Sequence, residues 1–270
     1  MNLSMIQASN TLGQLQHKLD QIGHNLSNTS TTGYKSRQSN FSSMLTQQIN
    51  NQSNVQAEDS RLTPNGIRSG AGAKIGHTNL NLTRGTFQQT NRELDTALKQ
   101  ENHLFKVQKE SSAGLKTEYT RAGNFYLNVL ENGNMLLTTS AGDPILGVNE
   151  EPIVIEGNAE DITFREDGAV LVTRNGTIAV EGQLGVMEAI RPGVLESVGG
   201  NHFKLPENMD TGGILQQADA QIVTGMLESS NVDLAREITE LQTVQKGYEF
   251  NTRSISMGDQ MMGLVNQLRS

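Results

Sequence analysis

Residues 1–35 read MNLSMIQASNTLGQLQHKLDQIGHNLSNTSTTGYK. Met1, Met5, Ala8, Leu12, Leu15, Leu19, Ile22 and Leu26 step forward by four and three in turn. That spacing is an unbroken heptad stripe, and it predicts a helix that buries one narrow seam against other helices. The remaining faces carry Gln, Asn, Ser, Lys and Asp, so the helix is amphipathic. From Asn25 to Lys35 the chain is rich in residues that hydrogen-bond their own backbone and compete with helix. Gly33 can take a positive φ and close the turn.

The other end of the chain supplies a second stripe. Leu227, Leu234, Leu241, Tyr248, Ile255 and Met262 recur every seven residues, with Ile238 and Val265 beside them. A helix starting near Asp219–Thr224 or at Asn231 and running toward Leu268 would be about 60 Å long. That exceeds the size of a compact domain of this mass, so much of its seam needs a partner. Two such narrow seams predict chain ends that pack on each other and on neighbouring copies. Gln245, Thr252 and Asp259 are also seven apart. They either set register within a seam or lie just off it.

The middle reads differently. Phe41, Met44, Leu45 and Ile49 predict one short amphipathic helix in an otherwise Gln/Asn/Ser-rich stretch. Pro64, Asn65-Gly66 and the glycines up to Gly72 mark an extended linker and a boundary. From Lys74 the period changes to two. Asn132-Gly133, Asp167-Gly168 and Asn175-Gly176 each stand between apolar arms and predict hairpins. No long helical pattern lies between the strands, so the middle is antiparallel rather than a βαβ sheet. The expected fold class is α+β: an antiparallel β middle domain with N- and C-terminal helices forming a coiled-coil-like assembly domain. The expected divisions are an assembly helix and turn (1–35), a polar connector (36–73), the β domain (74–220) and a C-terminal assembly helix (221–270).

Composition narrows the function. The net charge is −8 without a basic cluster, which disfavours nucleic acid or an anionic membrane as partner. No apolar run approaches ~18 residues, so no transmembrane helix is expected, and the N-terminus lacks the pattern of a secretory signal. Cysteine is absent, which excludes disulfides and thiolate metal sites. Aromatic residues are 4% and tryptophan is missing, so the core must come from Val, Ile, Leu and a few Phe. His17 and His24 are seven apart, but no further ligands cluster with them to hold a metal. Gly70 to Gly76 has no apolar strand before it and reads as connector rather than nucleotide loop. Glu150-Glu151 and Glu166-Asp167 adjoin turn residues, where solvated acid is the ordinary case. No nucleophile elbow, zinc-protease or phosphate-loop motif is present. No catalytic residue, cofactor or metal is expected.

Three segments carry a resemblance. Residues 22–35, IGHNLSNTSTTGYK, resemble the N-terminal motif of flagellar rod and hook proteins. Residues 228–250, ESSNVDLAREITELQTVQKGYEF, resemble that family's C-terminal motif. Gly85-Thr86-Phe87 and Tyr119-Thr120-Arg121-Ala122-Gly123-Asn124-Phe125 resemble the entry to its middle domain. The extended segment over residues 60–90 is most similar to the distal-rod type. The sequence departs from the family at Gln100-Glu101-Asn102-His103-Leu104-Phe105, where a Gly-x-Gly-Phe-Phe motif is usual, and at Gly23-His24.

The resemblance implies a structural subunit of the rod or hook-proximal axial structure. It implies export by the flagellar apparatus beyond the inner membrane and polymerisation into a torque-transmitting helical tube, with itself and other axial proteins as partners. The expected assembly residues are Leu12, Leu15, Leu19, Ile22, Asn25, Leu26, Asn28, Gly33 and Tyr34, together with Asn231, Leu234, Ile238, Leu241, Tyr248, Ile255 and Met262. The rival readings are a soluble adaptor with a closed coiled-coil oligomer and an enzyme with an unrecognised site.

Overall fold

The computed structural model describes residues 2–43, 46–49, 67–70, 73–111, 114–206, 209 and 212–269. Helix α1 spans Asn2–Ser27 and helix α2 spans Leu234–Arg269. The described residues between them are strands and turns, apart from a single 3-10 turn at Pro192–Val194. The fold is α+β. No helix of the described residues is long and apolar enough to cross a membrane.

Turn chemistry sets the strands. Asn175 and Gly176 have φ of 50° and 75°, the pair of positive values that a two-residue hairpin turn requires. Arg174 pairs with Thr177 across that turn. Gly168 has φ 82°, and Asp167 Oδ1 accepts the Ala169 N–H at 3.1 Å, which holds the preceding hairpin. The Asn132-Gly133 hairpin is wider than a two-residue turn. Val129 pairs with Met135, and the loop closes through Leu130 N–H to Asn134 O at 2.8 Å.

The chain divides into two compact units, Met1–His24 with Gln38–Thr78 and Ala235–Ser270, and Asn25–Arg37 with Asn79–Leu234. The second unit is the β body, and its ladders are antiparallel. Its largest sheet runs in the order Glu196–Gly199, His202–Lys204, Gly114–Thr120, His103–Ser111, Val186–Ala189, Leu215–Ala218. Two three-stranded sheets accompany it. One joins Val154–Ile155, Met135–Thr138 and Tyr126–Val129, and the other joins Asp161–Phe164, Ala169–Arg174 and Thr177–Gln183. The main core gathers inward-facing residues of all three sheets, among them Phe105, Leu137, Ile155, Val170 and Val186. Phe105, Phe125 and Phe164 meet edge to face, with centroids 5.1 and 6.0 Å apart. That is the geometry the ring quadrupole favours.

The first unit pairs the two helices. Leu15, Ile22 and Val244 are buried together, with Leu19 and Leu241 packed against them. Arg37–Ser43 pairs with Ala73–Leu80, and Thr46–Ile49 with Ile67–Gly70.

Two expectations are corrected. The short helix expected over Phe41–Ile49 is strand at 37–43 and 46–49; Met44 and Leu45, with residues 50–66, lie outside the described residues. The apolar spacing there is compatible with helix, but Asn and Ser are weak helix formers. Cross-strand partners from Ile67–Gly70 and Ala73–Leu80 satisfy the backbone instead. Helix α2 begins at Leu234, later than expected. Leu227 lies in the strand Met226–Glu228, paired with Phe87–Gln89, so it is not part of the helical stripe.

Candidate functional site

The three motifs of the sequence reading converge in the β body on one buried carboxylate. Glu228 Oε1 lies 2.7 Å from Lys35 Nζ, and its Oε2 lies 2.6 Å from Arg121 Nε. Gly85 donates its N–H to Oε1 at 2.8 Å. The three charged side chains have essentially no solvent exposure. Two cations therefore share one anion. The excess positive charge is spread over backbone carbonyls. Lys35 donates to Leu82 O at 3.3 Å and Thr83 O at 2.7 Å. Arg121 donates to Leu98 O at 3.0 Å, Glu101 O at 3.1 Å and His103 O. Burial lowers the Lys35 ammonium from the ordinary 10.5 to about 8, against the opposing pull of Glu228. Burial likewise lowers the Arg121 guanidinium, which stays charged because its ordinary value is so high.

The turn after α1 is shaped to reach this cluster. Gly33 has φ +66°, and a Cβ there would sit 2.7 Å from Ala122 N and Arg121 C. Only glycine fits both the conformation and the space. Its N–H donates to Glu228 O at 2.7 Å. Gly85 has the same role on the other side, since a Cβ would sit 2.0 Å from Ser229 O.

Asparagines extend the clasp. The Asn25 Oδ1 accepts from Arg37 N–H and Tyr34 O–H, both at 3.1 Å. Its Nδ2 donates to Arg37 O at 2.9 Å. The Asn231 Oδ1 accepts the Ser36 N–H at 2.7 Å, and its Nδ2 donates to Asn81 O at 2.8 Å and Thr83 O at 2.9 Å. Each amide both donates to and accepts from backbone, which fixes the path of two chain segments at once. Asn28 has a local role: its Oδ1 accepts from Thr31 at 3.0 Å. Leu26 is half-buried, and its carbonyl accepts from Thr29.

In the helical unit, the structure brings together Leu15, Leu19, Ile22 and Leu241. Leu12, Ile255 and Met262 are half-buried. Leu234, Ile238 and Tyr248 are exposed, as are Gln245, Thr252 and Asp259. The α2 side of the seam was read incompletely from sequence. It includes Val244, buried, and two glycines. A Cβ on Gly247 would touch Leu15 at 3.8 Å, and one on Gly258 would press Met5 at 3.3 Å. Lys18 pins the pairing: it is buried, donates to Ser39 O at 3.0 Å and pairs with Glu240 at 2.7 Å. An ion pair anchored on a buried lysine can select register.

A second apolar stripe runs along α2. Phe250, Met257, Met261, Leu264 and Leu268 are all exposed. They follow one another by seven, four, three and four, so they share a face. That face is roughly 120° from the one carrying Val244, Gly258 and Met262.

Lys35, Arg121 and Glu228 escaped the sequence reading as site residues. A signal was present, because each is a charged residue of one of the three quoted motifs. Their signs, two positive and one negative, suit a shared ion pair. His17 and His24 are exposed. Among the described residues no group of three His, Asp or Glu is placed to hold a metal ion.

Comparisons with known proteins show what the chain is similar to. A family model described as flagellar hook protein FlgE/F/G D1 domain matches residues 100–172. A second, described as flagellar basal body rod FlgEFG protein C-terminal, matches residues 223–268. The chain is 37% identical to the flagellar hook-basal body complex protein FlhP of Bacillus subtilis, over 98% of this chain and 99% of that protein. It is 31% identical to the flagellar basal-body rod protein FlgG of Caulobacter vibrioides, over 97% and 98%. It is also 31% identical to FlgG of Bacillus subtilis, over 94% of both chains.

Proposed function

The chain belongs to the flagellar basal-body rod and hook protein family, and from that premise we propose that it polymerises through its terminal helices into a torque-transmitting helical tube. It is a structural subunit of the flagellum and not an enzyme. As a family member it assembles with copies of itself and with other axial proteins. The finer assignment is our own: a distal-rod-type subunit, moved by the flagellar export apparatus to a place beyond the inner membrane. In this reading residues 1–35 and 221–270 are the assembly segments, 36–73 the connector and 74–220 the β domain. Assembly would complete a coiled-coil-like domain from the terminal helices.

The observation that carries the reading is the pair of stripes on α2. One is occupied by α1 in the same chain. The other, Phe250 to Leu268, is exposed. A helix with one seam filled and another open roughly a third of a turn away makes an unlike, head-to-tail contact, and such contacts propagate. Apolar side chains of this size gain about 1.5–3 kcal/mol each on full burial, so a neighbouring helix is a favourable cover. A closed coiled-coil adaptor is not favoured, because the family is axial.

The test is Met257→Asp with Met261→Asp in cells lacking the parent gene. The expected result is a non-motile strain without complete basal bodies, while the purified variant keeps the helicity of the parent. Normal swimming by the double variant would overturn the assignment of that face.

A further inference from the structure

We propose that the outer face of strand Thr177–Gln183 is a second subunit contact, on which the β body of a neighbouring copy docks through its segment 190–198. The strand is an edge: among the described residues its ladder partner is Ala169–Arg174 alone. Val170 and Val172 are buried in the core, and they pair across the ladder with Gly182 and Ala179. The alternate pairs, Leu171 with Val180 and Thr173 with Ile178, therefore point the other way. A bulge beside Val170 and Leu171 sets this register. Ile178 is 65% exposed and Val180 58%. The larger side chains of the strand thus stand in solvent while the smaller ones face the core.

The patch continues onto the next sheet. A Cβ on Gly182 would meet Ile153 Cγ2 at 3.0 Å. Glu156, just past the strand Val154–Ile155, donates its N–H to Glu181 Oε2 at 3.1 Å, and its carbonyl accepts from Arg174 Nη2 at 2.7 Å. The two edge strands therefore lie side by side. Ile153 and Ile155 belong to the core, and Val154 between them points outward and is exposed. The solvent face of an antiparallel sheet ordinarily carries polar residues, and exposed edges are ordinarily guarded by lysine or proline. Residues 177–183, TIAVEGQ, hold neither. Contiguous apolar surface rimmed by polar residues marks an interaction site.

Area and charge select the occupant. A free-standing complex needs about 800 Å² on each partner, more than a few aliphatic side chains on two short strands provide. The partner must therefore be held by a further contact as well. A copy of this chain has one, the open stripe of α2, so the inference rests on the assembly proposed above. The rim is acidic: Glu156, Glu160 and Asp161 are exposed, whereas Arg174 is paired with Glu181. The complementary surface is apolar and basic. On the β body Ile190 and Val198 are exposed, and so is Arg191 next to Ile190. Pairing of these two unlike surfaces is head-to-tail, which propagates along an assembly.

The experiment places a photo-activated cross-linking amino acid at position 178 of the full chain in its own cells. That position is exposed, so the replacement leaves the core intact. The expected product, read from isolated basal bodies, is a two-copy adduct attached within residues 190–198. Adding Arg191→Glu should cut its yield about tenfold, equivalent to about 1.4 kcal/mol. Adding Val180→Asp should do the same, while the purified variant keeps the parent's melting temperature. Absence of the adduct would overturn the contact. So would attachment to another segment or to a different protein, or a yield that neither substitution lowers. The α2 assignment fails by a different sign, normal swimming of the Met257→Asp, Met261→Asp variant, so the two are told apart.

Discussion

At the scale of the residue, Glu228 bears the largest electrostatic burden. Two buried cations rely on it, and among the described residues neither has another carboxylate within ion-pair distance. Glu228→Gln keeps the shape but removes the anion, so it should cost about 3–5 kcal/mol, read as a lowered urea midpoint for the β body. Lys35→Met is gentler, because it removes one of two cations. It also reports on pH. The folded Lys35 gives up its proton near pH 8, whereas the unfolded residue holds it to 10.5. Between those values the unfolded chain binds the extra proton, so Lys35 adds stability as pH rises through that window and withholds it below. The parent should therefore gain on Lys35→Met between about pH 7.5 and 10, measured by paired urea unfolding at both pH values. Equal differences at the two would show that Lys35 does not titrate there.

At the scale of the element, α1 and α2 make one tight seam with glycine on one side and leucine on the other. Val244 is its buried apolar α2 residue, at 6% exposure. Val244→Asp places a carboxylate among Leu15, Leu19 and Ile22, so it should cost about 3 kcal/mol or more and lower the helix signal in circular dichroism. Gln245→Asp, on the exposed side, should leave that signal within experimental error. A Val244→Asp protein with the parent's helix content and melting temperature would mean that the seam contributes little in the isolated chain.

At the scale of the whole molecule, the β body takes in both motif turns. Residues 25–37 and 79–234 form one unit, joined by the Glu228 clasp and by the Asn231 bonds to Ser36, Asn81 and Thr83. A specific protease site inserted between residues 56 and 57 should therefore give a nicked protein whose two pieces co-elute in size exclusion. With Glu228→Gln added, the N-terminal piece should separate at a lower urea concentration. Pieces that part at once in native buffer would show that the clasp does not tether the N-terminal turn.

Much of the architecture was legible in local pattern. The four-three stripe of α1, the Asn175-Gly176 turn and the change from period 3.5 to period two are each dictated within a few residues by backbone sterics and burial of one face. Asn25, Tyr34 and Asn231 stand in recognisable motifs, where they were expected as assembly residues rather than as bonds within the chain. Three things needed the tertiary structure. Phe41 to Ile49 suits helix or strand locally, and distant strands decided between them. Gly247 and Gly258 mark a close helix approach that no apolar periodicity reveals, because glycine adds no side chain to the count. Lys35, Arg121 and Glu228 are far apart in sequence and look like ordinary surface charges one at a time. Whether a charge is solvated or buried against its counter-ion depends on which segments the chain brings together, and that is a property of the fold rather than of any stretch of sequence.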